Sequence, residues 1–100
     1  MQEFKGIITA LLTPFVSGEV NEKVLRDFVD FQIEQRVHCL FACGTMGEGP
    51  LMGKEKRKKV AEIVVSQTRH KIPVIVHVGS IDTASVVELG KHAEEIGADA

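Results

Sequence analysis

The stretch Ile72–Ala100, IPVIVHVGSIDTASVVELGKHAEEIGADA, contains a whole structural unit. Ile72–Val78 is an almost unbroken apolar run bounded by turn residues, the pattern of a strand buried on both faces, as strands of parallel sheets are. Beyond Gly79 and Ser80 the period changes. Asp82 or Thr83 opens a helix in which Val86, Leu89, Ala93 and Ile96 share one face, and Gly97 falls where a left-handed C-terminal cap belongs. The closing GADA has the look of a fourth strand beginning.

The same unit recurs twice upstream. GIITALL (Gly6–Leu12) and VHCLFAC (Val37–Cys43) are further apolar runs of strand length. Asn21 can cap a helix through EKVLRDFVDFQIEQ, with Leu25, Phe28, Val29 and Ile33 on one face. A second helix starts near Gly53 and runs through KEKRKKVAEIVVSQT, burying Val60, Ala61, Ile63 and Val64, with Glu55 placed to pair with Lys59. Strand–helix three times, at roughly 30-residue spacing, is the βα repeat, and no linker interrupts it. The expected class is α/β, one domain over residues 1–100. Three such units fit an open doubly wound sheet or part of a (β/α)8 barrel, and periodicity does not separate the two. A full barrel takes about 250 residues, so on the barrel reading this is the N-terminal three βα units plus the start of strand 4.

Composition narrows the function classes. Of the 100 residues, 44% are hydrophobic and 26% charged, and the net charge of -2 argues against a general nucleic-acid or anionic-membrane binder. No apolar run approaches the ~20 residues of a spanning helix, and no signal peptide is expected. Cys39 and Cys43, if they share one strand, lie about 13 Å apart, beyond the ~7 Å reach of a disulfide. Two reduced, buried thiols in a cytoplasmic protein is the expectation.

The chemistry gathers at CGTMGEGP, Cys43–Pro50, in the gap between the second strand and the second helix. Glycines there allow positive φ and close backbone approach, and amides at a strand-to-helix turn can hold a carboxylate. The plainer reading is a tight turn. GIITALLTPF, GTMGEG, IPVIVHVGS and ELGKHAEEIGADA, in this order and spacing, resemble the dihydrodipicolinate synthase/N-acetylneuraminate lyase family over essentially the whole chain. The resemblance implies a (β/α)8 barrel and a pyruvate-dependent class I aldolase or lyase, working through a Schiff base and commonly tetrameric. It makes Thr45 a proton-relay and substrate-binding residue, puts Met46 and Gly47 at the carboxylate-binding turn, and makes Glu48 a turn-orienting carboxylate. It also implies a Schiff-base lysine and a relay tyrosine beyond residue 100. Family members usually carry two adjacent hydroxyl residues where this chain has Thr45–Met46, and a lost hydrogen bond to a charged group is worth roughly 1.5–3 kcal/mol.

None of the chain's lysines suits a Schiff base. Lys5 and Lys71 stand at the wrong ends of strands, the others lie on helices, and tyrosine is absent. Residues 1–100 alone are therefore expected to be inactive. His77 reads either as a buried histidine held by a backbone carbonyl or, because HVGS resembles the neuraminate-lyase branch, as a substrate-facing group. His38, His70 and His92 are expected on the surface, KEKRKK on a solvated helix face and Asp82 as a helix cap; Thr13 and Pro14 close the first strand near the rim. No metal ligation and no cofactor are expected. The partners expected are pyruvate with an aldehyde, or a 2-keto sugar acid of the N-acetylneuraminate or 2-keto-3-deoxygluconate type, and further copies of the chain. The alternatives are a small non-catalytic α/β module that binds an anion or nucleotide at the 44–49 turn, and an inactive fragment.

Overall fold

A computed structural model of the chain describes residues 4–44 and 52–100. Along the sequence run β1 (Ile8–Ala10), β2 (Phe15–Val16), β3 (Glu19–Val20), α1 (Glu22–Glu34), β4 (Cys39–Ala42), α2 (Lys54–Thr68), β5 (Val74–Val76) and α3 (Thr83–Glu95). β1, β4 and β5 form a parallel sheet in that order, with Leu40 beside Thr9 on one side and Val74 on the other. β2 and β3 form a separate small hairpin.

The arrangement separates the two folds that periodicity left open. α1 packs on α2 and α2 on α3, so the helices make one layer. A doubly wound sheet needs helices on both faces. Strands in sequential order with every helix on the same side form the wall of a (β/α)8 barrel. The core lies between wall and helices: Leu40, Ala42 and Val74 meet Val60 and Val64 of α2 and Leu25 and Val29 of α1. On the opposite, inner face Ile8 of β1 stands beside Cys39 of β4, and Ala10 beside Phe41. The strands are shorter than the apolar runs, because ladder bonds exist only where a neighbouring strand runs alongside.

Local chemistry explains the ends. The Asn21 side chain accepts from the Val24 N–H at 3.2 Å, and Asp82 accepts from the Ser85 N–H at 3.0 Å. Gly97 takes φ +90 after α3, the left-handed conformation expected of it. The chain then turns along the free edge of β5, where Asp99 N–H donates to Val74 O and Val76 N–H to Ala100 O. The β2–β3 hairpin turns on Ser17 (φ 52) and Gly18 (φ 80), an element the sequence reading lacks. The expected Glu55–Lys59 pair is replaced by Glu55–Lys58 at 3.8 Å.

Leu40 has no exposed surface, and Leu40→Ala is expected to cost about 2–5 kcal/mol in urea unfolding. Asn21→Ala is expected to cost about 1 kcal/mol in the same measurement.

Candidate active site

In a parallel βα wall, the C-terminal strand ends and the loops beyond them are where a site can be built. Here those ends are Cys43–Gly44 after β4 and His77–Ser80 after β5. Thr45, Met46, Gly47 and Glu48 lie outside the described residues; His77 lies within them.

Alternation places His77 on the inner face. Phe41 pairs with Ile75 across the ladder, and His77 follows Ile75 by two. Its ring meets Phe41 edge-on at 6.0 Å between centroids. The His77 N–H donates to Ala42 O at 2.9 Å, continuing the ladder past β5. No carbonyl meets Nδ1 of the imidazole: this nitrogen is buried and has no hydrogen-bond partner among the described residues. Gly79 leaves room for the ring, since a Cβ there would stand 2.8 Å from its Cε1 and Nε2.

Cys43 breaks the alternation. A regular strand would send it inward with Phe41, but φ +62 turns the thiol into the helix-side core, where it is 1% exposed and donates to Arg57 O at 3.6 Å. Burial pushes its pKa from 9.0 to about 11, against an opposing pull from Arg57. Cys39 is likewise buried and free, its pKa raised by burial and by the Asp99 charge.

Arg57 corrects the solvated-face reading of KEKRKK. It is 5% exposed, its Nη1 donates to Gly79 O and its Nη2 to His77 O, both at 2.7 Å, and among the described residues its Nε has no partner. The helical signal was present: 57 stands at i, i+3, i+4, i+7 with Val60, Ala61 and Val64. A cavity of about 470 Å³ opens beside it, between Met52–Lys54 at the start of α2 and His77, Gly79–Ile81 on the loop after β5. Lys54 and Lys58 turn away to Glu88 of α3 at 3.2 and 2.7 Å, and the Lys58 contact comes first in holding that carboxyl below its ordinary range.

Hydrogen bonding from Ser85 holds the Asp82 carboxyl below the usual range, which accords with a cap. His38 and His70 are exposed, although His38 Nδ1 accepts from the Ile7 N–H at 2.8 Å. His92 departs from the surface expectation: its side chain is 14% exposed and contacts Glu62 at 3.0 Å. Thr13 is buried. Among the described residues no group of three His, Cys, Asp or Glu could hold a metal ion, and no helix is long and apolar enough to cross a membrane.

Residues 3–100 match the model of the Dihydrodipicolinate synthetase family. A 4-hydroxy-tetrahydrodipicolinate synthase of Syntrophus aciditrophicus is 44% identical over 96 residues, covering 96% of this chain and 33% of that protein. YagE, an E. coli K12 prophage protein of the dihydrodipicolinic acid synthase family solved in complex with pyruvate, superposes with TM-score 0.93 at 31% identity, over 96% of this chain and 33% of its own. An N-acetylneuraminate lyase from Mycoplasma synoviae superposes with TM-score 0.91 at 30% identity, over 96% and 34%. The chain spans about a third of the length of the curated relatives it matches.

The folded state holds the Cys43 proton more tightly than the unfolded chain does. Its contribution is therefore complete below pH 9.0 and is lost as pH rises through about 11. Urea unfolding followed from pH 8 to pH 11 should show wild type losing on the order of 2 kcal/mol more than Cys43→Ala.

Proposed function

The chain belongs to the dihydrodipicolinate synthetase family and forms the N-terminal three βα units of its (β/α)8 barrel, and from that premise we propose that the complete protein is a pyruvate-dependent class I aldolase. It joins pyruvate to an aldehyde, or cleaves the product of such a joining, through a Schiff base and the enamine derived from it. The observation that carries this reading is the match over residues 3–100, supported by a close structural neighbour solved with pyruvate bound.

The proposed roles follow the strand ends. Thr45 relays a proton and, with the Met46 and Gly47 amides, holds the pyruvate carboxylate. Amides fixed at a strand-to-helix turn suit an anion whose position must not vary during the reaction. Met46 offers only its N–H where the family usually has a second hydroxyl. His77, on the inner face with an unpartnered Nδ1, contacts the part of the substrate that comes from the aldehyde. The lysine and tyrosine that complete the reaction are proposed to stand on later strands of the complete protein.

The higher identity to the Syntrophus enzyme supports the synthase branch. A second reading, cleavage of a 2-keto sugar acid, is favoured by His77 itself, since a hydrogen-bonding group at the mouth suits a hydroxylated substrate. The complete protein is further proposed to be a cytoplasmic homo-oligomer, a tetramer; two free buried thiols accord with a reducing compartment.

Borohydride added to the complete protein with pyruvate should trap one pyruvate per chain on a lysine, read by mass spectrometry; no adduct would remove the proposal. Thr45→Val should keep the adduct and lower kcat by roughly 100-fold, the usual scale of a lost proton relay. Assays with an aldehyde plus pyruvate against assays with a sugar acid decide between the two branches.

A further inference from the structure

We propose that Arg57 is a positioning residue that sets the His77 imidazole at the mouth of the barrel. The proposal rests on the reading above that the strand ends hold the substrate. Arg57 stands in the first turn of α2, 5% exposed, and its two Nη atoms take the carbonyls of His77 and Gly79 at 2.7 Å each. These carbonyls flank Val78 in the segment that follows β5, and a rigid planar fork reaches both where a single ammonium would not.

A merely structural role explains the placement poorly. The guanidinium is buried against neutral carbonyls, and among the described residues no carboxylate pairs with it and its Nε has no partner. An apolar side chain of similar size would fill the space without the cost of a buried charge. What an apolar side chain would not do is fix where those two carbonyls point.

The object so fixed is the residue between the fork and the inner face. His77 is held by its N–H on Ala42, by its carbonyl on Arg57, and by ring contact with Phe41. Gly79, the other carbonyl on the fork, is the residue whose missing Cβ gives the ring its place. One guanidinium thus sets both the backbone that carries the imidazole and the backbone that makes room for it. The same residue is tied to the other strand end, since the Cys43 thiol donates to its carbonyl.

The test uses the complete protein with labelled histidine, the His77 ring signal being assigned by its loss in His77→Gln. Arg57→Met releases the carbonyls, while Gly79→Ala pushes the ring directly and keeps Arg57. Both should move the His77 signal, and both should raise KM for the aldehyde or sugar acid by about tenfold, the scale of one lost hydrogen bond to substrate. Borohydride trapping of pyruvate should persist in each. Arg57→Lys, with one nitrogen in place of a fork that spans two carbonyls, should fall between wild type and Arg57→Met. In the Arg57→Met/His77→Gln double variant the two effects on KM should fail to add, because one acts through the other. Additive effects, or a His77 signal unmoved by Arg57→Met in a folded protein, would overturn the proposal. If wild type traps no pyruvate, the aldolase reading falls, while the His77 signal still decides whether Arg57 places the ring.

Discussion

Leu40 has no exposed surface, and its N–H donates to Pro73 O at 3.0 Å while its side chain lies among the apolar residues of α1 and α2. It sits in β4, which among the described residues is the one strand that pairs on both sides. β1 and β5 are in register because both are read off β4, so the heights of the strand ends are set by this one buried position. Slipping β4 by a single residue would exchange Leu40 and Ala42 for Cys39 and Phe41 on the helix side. Phe41 would then leave the face on which it meets His77.

Much of this was legible in the chain. α1, α2 and α3 show an apolar face at helical spacing, and two of them open on a side chain that caps. The three apolar runs located the strands but overstated their length, since hydropathy records burial and not pairing. The hairpin escaped because two-residue strands show no alternation, although Ser17–Gly18 is a turn dipeptide. GADA was read correctly as leading into a further strand position, now seen along the edge of β5.

The candidate site is legible to a lesser degree. The turn after the second strand lies outside the described residues, and His77 stands on the inner face, beside Phe41. Arg57 was hidden inside six charged residues, where composition signals solvent and only the helical period marks one of them as inward. The turn of Cys43 to φ +62 leaves no trace in residue type, because left-handed backbone is normally signalled by Gly, Asn or Asp. Its strain is tolerated because burial of the thiol and its bond to Arg57 O settle the side chain on the helix side.

The charged run at the start of α2 has more than one physical task. Lys56 donates to Gly18 O at 2.6 Å and lies 6.0 Å from the Phe15 ring, so it holds the β2–β3 hairpin. Lys54 and Lys58 reach Glu88 on α3. Arg57 holds the segment after β5 and accepts the Cys43 thiol. One helical turn therefore fastens the loops that follow all three parallel strands. The exposed ion pairs contribute little each. The two bonds from the buried Arg57 guanidinium are different, because a charged donor held away from bulk water binds a carbonyl more strongly than an exposed one does. That division explains why a run of like charge can end a strand-to-helix connection without repelling it: most of the cations face solvent or acids, and the one that is buried is spent on geometry.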